Sequence, residues 1–341
     1  MIDLISDTVT RPTPGMLEAM LRAEVGDDVF GEDPTVNALE EKAADLFGME
    51  SALFCASGTM TNQIAIKVHT QPGDEVICHQ LAHIYLYEGG GMMFNSGVSV
   101  RLVGSLDGLM NAAEVEGGIA APDNIHAART RLVALENTSN RGGGTCFDFA
   151  DVEAIGEVAR RHRLGFHLDG ARLFNALAAA GGSTRDYGAV FDSISICLSK
   201  GLGCPVGSLL LGERDFIREA RRIRKRFGGG WRQAGMLAAA GIYALDHHVE
   251  RLPEDHALAG QLGQCLAEQP WVAGVNPVAT NIVIFTLHDP GRGEELVRAL
   301  RERGVRVMSM GQGKLRMVTH LDVGAAEIDR VCEIIPRLAL E

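Results

Sequence analysis

The chain has 341 residues, 46% of them hydrophobic and 22% charged, enough for about two domains of ordinary soluble composition. Its net charge of −12 argues against a nucleic acid or an anionic membrane as partner. Seven cysteines are scattered without a C-x-x-C pair, no basic-then-apolar leader opens the chain, and no apolar run approaches about 18 residues; free thiols in a cytoplasmic, soluble protein are expected.

In chain order, residues 1–30 read as an arm with one helix and the polar run SDTVTRP. SALFCAS reads as a strand that leads through Ser57-Gly58-Thr59 into a helix from Met60 to about His69. DEVICH, VSVRLVG and RLVALEN follow as strands; DFADVEAIGEVARRHR has the helical period, with Asp148 or Asp151 placed to cap it. GFHLD and SISICLS are strands again, and long helices occupy the stretch between Glu213 and about Arg251. Several strands read as apolar on both faces, as where helices cover both sides of a parallel sheet. Beyond Leu252-Pro253 the pattern is strand, helix, strand, strand, helix, in TNIVIFTL, GEELVRALRERG, VRVMSM, KLRMVTHL and AAEIDRVCEIIPRLAL. The expected organisation is an α/β protein with a mainly parallel central sheet flanked by helices. Residues 1–30 form the arm, 31–252 a large domain and 253–341 a smaller α/β domain.

One residue stands out. Only five of the 32 basic residues are lysines, yet Lys200 closes an apolar strand beside Gly201 and Gly203. Ligands bind at the carboxyl ends of parallel strands, and Asp169 ends the strand one helical crossover earlier. The Ser57-Gly58-Thr59 turn before a helix can hold a phosphate with backbone N–H groups and the Thr59 hydroxyl. An amine nucleophile, a carboxylate and a phosphate cradle are the parts that hold pyridoxal 5′-phosphate: the lysine forms a Schiff base, the aspartate keeps the ring nitrogen protonated, and the helix end binds the phosphate. A guanidinium cannot form that imine, which explains a lysine here. Taken singly, each feature has an ordinary reading as a loop lysine, a helix cap or a helix start; their joint occurrence in order favours the cofactor.

The stretches SDTVTRP, GDDVFGEDPTVNALE, SGTMTNQIA, LENT, HLDGARLFNA, ICLSKGLGCPVGSLLLG, RKRFGGGWRQAGMLAAAGIYAL and RMVTHLD together resemble the low-specificity L-threonine aldolases, members of the fold type I pyridoxal-phosphate enzymes. The resemblance runs from Asp3 to about Val323. It implies cleavage of L-threonine and L-allo-threonine, and of other β-hydroxy-α-amino acids, to glycine and an aldehyde, by a homotetramer that is a dimer of dimers. It implies Lys200 as the Schiff-base lysine, Asp169 as the ring-nitrogen partner, and Ser57, Gly58 and Thr59 as the phosphate loop. Arg172 and Arg316, helped by Ser6, would grip the substrate carboxylate. His83 would stack on the cofactor ring and His126 would lie near the substrate hydroxyl, either being the base. Lys225 would reach toward a neighbouring subunit's phosphate. Three positions depart from the family pattern: Ile5 where Arg is usual, Ser139 where His is usual, and the bulky GGGMMFNSG. Another reaction of the same cofactor, β-elimination or transamination, is the alternative.

Other signals carry less. His79 and His83 are four apart but lack the glutamate of H-E-x-x-H, so no metal site is expected. Gly201-x-Gly203 meets its next glycine one residue too late for a dinucleotide fingerprint. The basic run from Arg214 to Arg232 reads as a solvated helix face or a site for a partner subunit's phosphate.

Overall fold

The computed structural model describes residues 1–105 and 107–338; the last three positions of the expected small domain lie outside the described residues. In chain order the strands are β1 (Ile2–Asp3), β2 (Ser51–Cys55), β3 (Asp74–His79), β4 (Ser99–Val103), β5 (Arg129–Glu136), β6 (Gly165–Gly170), β7 (Ser193–Cys197), β8 (Ser208–Gly212), β9 (Val272–Val275), β10 (Ile282–Leu287), β11 (Val305–Arg306), β12 (Met308–Gly311) and β13 (Lys314–Val318). The central sheet has seven strands in the order β2-β8-β7-β6-β5-β3-β4. Strands β3 to β7 run parallel, while β8 is antiparallel to both of its neighbours. The loop 198–207 makes that reversal: at its base Leu198 donates to the Gly207 carbonyl at 3.0 Å, and Gly207 takes φ +125°, which favours glycine. The carboxyl ends of β2, β3 and β5 to β7 therefore share one edge.

The central strands are not apolar on both faces. Leu168, Ile194, Ile196, Leu209 and Leu211 enter the main core. Their alternates His167, Asp169, Ser193, Ser195 and Ser208 are equally buried but polar. Side chains alternate across a strand, and the registers of β6 with β7 and of β7 with β8 put these residues on one face. The helix Gly58–His69 covers that face with Thr61, Asn62 and His69. Thr61 Oγ1 lies 2.5 Å from Ser195 Oγ and 3.1 Å from Ser208 Oγ, so the buried hydroxyls satisfy one another. That helix begins two residues earlier than its apolar period suggests because Ser57 caps it, accepting from the Met60 N–H at 3.2 Å. Asp148, and not Asp151, caps the helix Phe149–His162.

The second sheet has four antiparallel strands, β12-β13-β10-β9. Its core holds Val283, Phe285, Leu315 and Met317 against Leu262, Leu266 and Ile328 from helices Leu252–Ala267 and Ala325–Ile334. Leu252-Pro253 is the start of the first of those helices, where proline fits the first turn. VRVMSM splits at Val307: β12 stays in this sheet, whereas β11 pairs in parallel with β1. The arm thus has a strand as well as a helix, and it crosses to the C-terminal unit before returning to the central sheet.

The basic run is not uniformly solvated. Arg224 is 2% exposed; it donates to Asp28 Oδ2 and to the Phe54 carbonyl, both at 2.6 Å. Removing one partner of a buried pair strands the other charge. Asp28→Asn should therefore lower stability by about 3 kcal/mol, seen as a lower denaturant midpoint with an unchanged slope.

Candidate active site

Asp169 is the last residue but one of β6 and Lys200 follows the end of the adjacent β7, so the sheet brings amine and carboxylate to neighbouring strand ends. Lys200 is half-buried, and its carbonyl accepts from Thr10 Oγ1 of the arm at 3.0 Å. Asp169 is 2% exposed; Oδ1 accepts from the Ala171 N–H at 3.2 Å and Oδ2 from Asn62 Nδ2 at 2.9 Å. A Cβ on Gly58 would lie 2.6 Å from Cys197 Sγ, so only glycine lets the helix start settle against the end of β7. The helix start therefore lies against the end of β7, three residues before Lys200. Thr59 is exposed there, and none of the described residues accepts a hydrogen bond from the Gly58 or Thr59 N–H.

His83 opens the short helix His83–Leu86. Its backbone N–H donates to Glu136 Oε2 at 2.6 Å, and its Nδ1 lies 3.0 Å from Glu88 Oε1. Ligand atoms of His83, Glu88 and Asp169 lie within 4.8 Å of one another. Burial disfavours charge on His83, but the hydrogen bond to Glu88 and the charge of Asp169 together raise its pKa above the ordinary imidazole value. Burial and the nearby Asp169 push Glu136 up to about 7. Tyr87 stacks on the His83 ring at 5.7 Å between centroids, and the Arg141 guanidinium carbon lies over the Tyr87 ring, 5.9 Å from its centre.

The arginines are not equivalent. Arg172 gives Nε and Nη2 to the two oxygens of Asp7, each at 2.7 Å, and Asn281 Nδ2 donates to the same carboxylate at 3.3 Å. Burial opposes ionisation of Asp7, but Arg172 beside it and the charge of Lys200 hold its carboxyl well below the usual range. Arg316 is 6% exposed and, among the described residues, has only neutral acceptors, Asn140 Oδ1 at 2.7 Å and the Ile5 carbonyl at 3.2 Å, with its Nε buried and unpartnered. Burial, then repulsion from Arg172, lowers its pKa to about 10. A buried cation lacking a counter-ion is a ready site for a carboxylate.

The structure brings Lys200, Asp169, Ser57, Gly58, Thr59, His83, Arg172, Arg316 and the arm residue Ser6 to one region. Ser6 caps the turn Asp7–Val9, its hydroxyl accepting from Thr8 Oγ1 at 2.9 Å. His126 is not brought there: it lies exposed in the loop before Arg129, where β5 starts, at the opposite sheet edge from the strand ends. Lys225 is exposed in a groove of about 560 Å³ with Arg218, Arg221, Arg222 and Arg226. Of the departures, Ile5 offers Arg316 its carbonyl, which any residue supplies, and Ser139 accepts from the Gly142 N–H at 3.2 Å, closing a turn. Sequence reasoning missed Asp7, Asn62, Glu88, Glu136, His167 and Asn281. Their signal is weak: Asp7 stands in the quoted arm run, and Glu88 follows His83 by five positions.

The fold and the strand-end cluster define the α/β class of the fold type I pyridoxal-phosphate enzymes; a serine palmitoyltransferase of Sphingomonas wittichii superposes with a TM-score of 0.78 at 16% identity, over 98% of this chain and 86% of that one. Residues 3–290 match the Beta-eliminating lyase model, and the chain belongs to that family. It is 45% identical over 334 residues to the low specificity L-threonine aldolase of Escherichia coli, covering 97% of each chain. A threonine aldolase of Leishmania major shares the fold, with a TM-score of 0.84 at 22% identity over 99% of both chains.

The polar layer behind Asp169 predicts acid lability. Burial pushes His167 down to about 3 and His69 down to about 4. The unfolded chain takes up these two protons near pH 6.5, whereas the folded chain refuses them. Their contribution is complete above pH 6.5 and is lost as pH falls through about 4 and then 3. Asp7 adds its loss only below the ordinary carboxylate range, and Glu136, raised in the fold, acts in the opposite sense between 7 and 4.5. In thermal melts from pH 7 to 4, His69→Phe should lose less stability on acidification than the parent protein.

Proposed function

We propose that the chain is a pyridoxal-phosphate-dependent aldehyde-lyase that cleaves L-threonine and L-allo-threonine, and other β-hydroxy-α-amino acids, to glycine and an aldehyde such as acetaldehyde. The observation that carries this reading is Arg316, a buried guanidinium with an unpartnered donor in the cleft that also holds Lys200 and Asp169. The similarity to threonine aldolases over nearly the whole chain supports the same reading.

The residues fit the cofactor. The Gly58 and Thr59 N–H groups and the Thr59 hydroxyl would hold its phosphate, the Asp169 carboxylate would keep its ring nitrogen protonated, and Lys200 Nζ would supply the amine for its imine. When bound, pyridoxal phosphate supplies an aldehyde for imine formation and a ring that takes up the electron pair released at Cα. Arg316 binds the substrate carboxylate. Arg172, already committed to Asp7, contributes its remaining N–H groups and its field. This clamp orients the Cα–Cβ bond for cleavage in place of the Cα–H bond. With Glu88 as a carboxylate, Nδ1 of His83 carries the proton and donates it, so Nε2 is the free acceptor. His83 Nε2 removes the β-hydroxyl proton, the Cα–Cβ bond breaks and the aldehyde leaves; a proton returned to Cα completes glycine.

Exposed Met93 and Phe94, and Phe30 at 73% exposure, support a homotetramer, whose neighbouring subunits would cover them. The free, mostly buried cysteines support a cytoplasmic setting.

Incubating purified protein and pyridoxal phosphate with the four threonine stereoisomers tests the reaction. Acetaldehyde and glycine in equal amounts are expected from the L-isomers without a keto-acid; 2-oxobutyrate with ammonia would mark β-elimination instead. Arg316→Ala should raise KM for threonine at least tenfold while cofactor content stays near parental, read by titration with pyridoxal phosphate. Asp169→Asn should keep the fold but lower kcat about 100-fold, roughly 2.7 kcal/mol on the barrier. A role limited to local hydrogen bonding would leave both melting temperature and turnover near parental.

A further inference from the structure

Behind Asp169 lies an unbroken chain of hydrogen bonds that runs from the cleft into the buried face of the sheet. Asn62 Nδ2 is 2.9 Å from Asp169 Oδ2 and 2.9 Å from Glu88 Oε1, and Asn62 Oδ1 is 3.1 Å from His167 Nε2. His167 Nδ1 lies 2.9 Å from Ser193 Oγ, which lies 2.8 Å from His69 Nε2. Asn62, His167 and Ser193 are each at most 1% exposed.

Only one arrangement of protons satisfies all of these contacts. Two carboxylates on one side of Asn62 require its N–H₂ group there, so its oxygen faces His167 and must accept. His167 therefore carries its proton on Nε2 and offers a lone pair at Nδ1. The Ser193 hydroxyl donates to that lone pair, and its oxygen accepts from the Nε2–H of His69. Every donor points toward Asp169, and bonds aligned in this way polarise one another at low dielectric. His69 and His167 stay neutral because burial resists their charging, so the direction persists wherever the enzyme works. Asn62 also separates the Asp169 and Glu88 carboxylates, which would otherwise repel at close range.

We propose that Asn62 and His167 are positioning residues for the reaction, fixing the orientation and hydrogen bonding of the Asp169 carboxylate through a one-directional chain that begins at His69. This rests on Asp169 being the partner of the cofactor ring nitrogen. A layer that merely fills the space under the helix Gly58–His69 would affect stability alone.

The test uses the holoenzyme. In ¹⁵N-histidine spectra of the parent protein, His167 and His69 should appear as neutral Nε2–H tautomers; an Nδ1–H tautomer at His167 overturns the proposal. His167→Leu should lower kcat for threonine at least tenfold with KM within threefold, and should shift the visible band of the bound cofactor. His167→Gln, which keeps a donor for Asn62 Oδ1, should return kcat to within threefold of the parent. Parental kcat and spectrum in His167→Leu, or a glutamine variant no better than leucine, overturns it. Should His167→Leu fail to fold, Ser193→Ala takes its place. Loss of the hydroxyl donor should convert part of His167 to the Nδ1–H tautomer and lower kcat about threefold, and no change in either overturns the proposal. Failure of the underlying reading looks different: the parent protein would show no visible band with pyridoxal phosphate, or Asp169→Asn would turn over normally.

Discussion

The contact on which the molecule most depends is the buried pair of Asp7 and Arg172. Two charges removed from water are costly unless their hydrogen bonds are complete. Here both carboxylate oxygens meet the guanidinium fork, and Asn281 adds a third donor. Three parts of the chain meet at this carboxylate: the arm, the segment after β6, and the residue that precedes β10. The same contact sets the electrostatics of the cleft. Because Asp7 neutralises Arg172, Arg316 is left as the cation with an unused donor, and the arm that delivers Asp7 also brings the Ile5 carbonyl to Arg316 and Thr10 to the Lys200 loop.

The charges in the cleft are sorted. Asp169, Glu88 and Glu136 gather around His83, while Arg172, Arg316 and Arg141 lie together beyond Tyr87. Asp169, Glu88, Glu136, Arg172 and Arg316 are buried, so these charges act at a lower effective dielectric than on the surface. A ligand with an amine, a carboxylate and a hydroxyl finds a partner for each in that arrangement. The asymmetry also separates roles that one residue type could otherwise share: one arginine holds the fold together at the site, and another remains for the ligand.

Much of the architecture was legible in the chain. Strand and helix periods and the glycines after Lys200 are local signals, written in residues that touch their own neighbours. The order of Gly58, Asp169 and Lys200 on successive strand ends could likewise be read, because parallel topology returns each strand to the same edge. The polar face of the central sheet was harder to see. SISIC alternates serine with isoleucine, but short polar residues within apolar runs do not reveal that a helix will cover them with Thr61, Asn62 and His69. The break at Val307 was invisible for a related reason, since only the pairing of β11 with β1 separates it from β12.

The sequence by itself determined the chemistry available: an amine where a guanidinium cannot serve, a carboxylate two positions after a strand histidine, and glycine where a helix start must approach a strand. Tertiary structure decided which of several like residues does which task. Arg172 and Arg316 are the same side chain, and only the arrival of Asp7 from 165 positions away distinguishes them. His83 and His126 are likewise the same side chain, and strand direction alone puts one at the carboxyl ends and the other at the opposite edge. Charge, burial and hydrogen-bond partners are set by neighbours in space, and those neighbours come from distant parts of the chain.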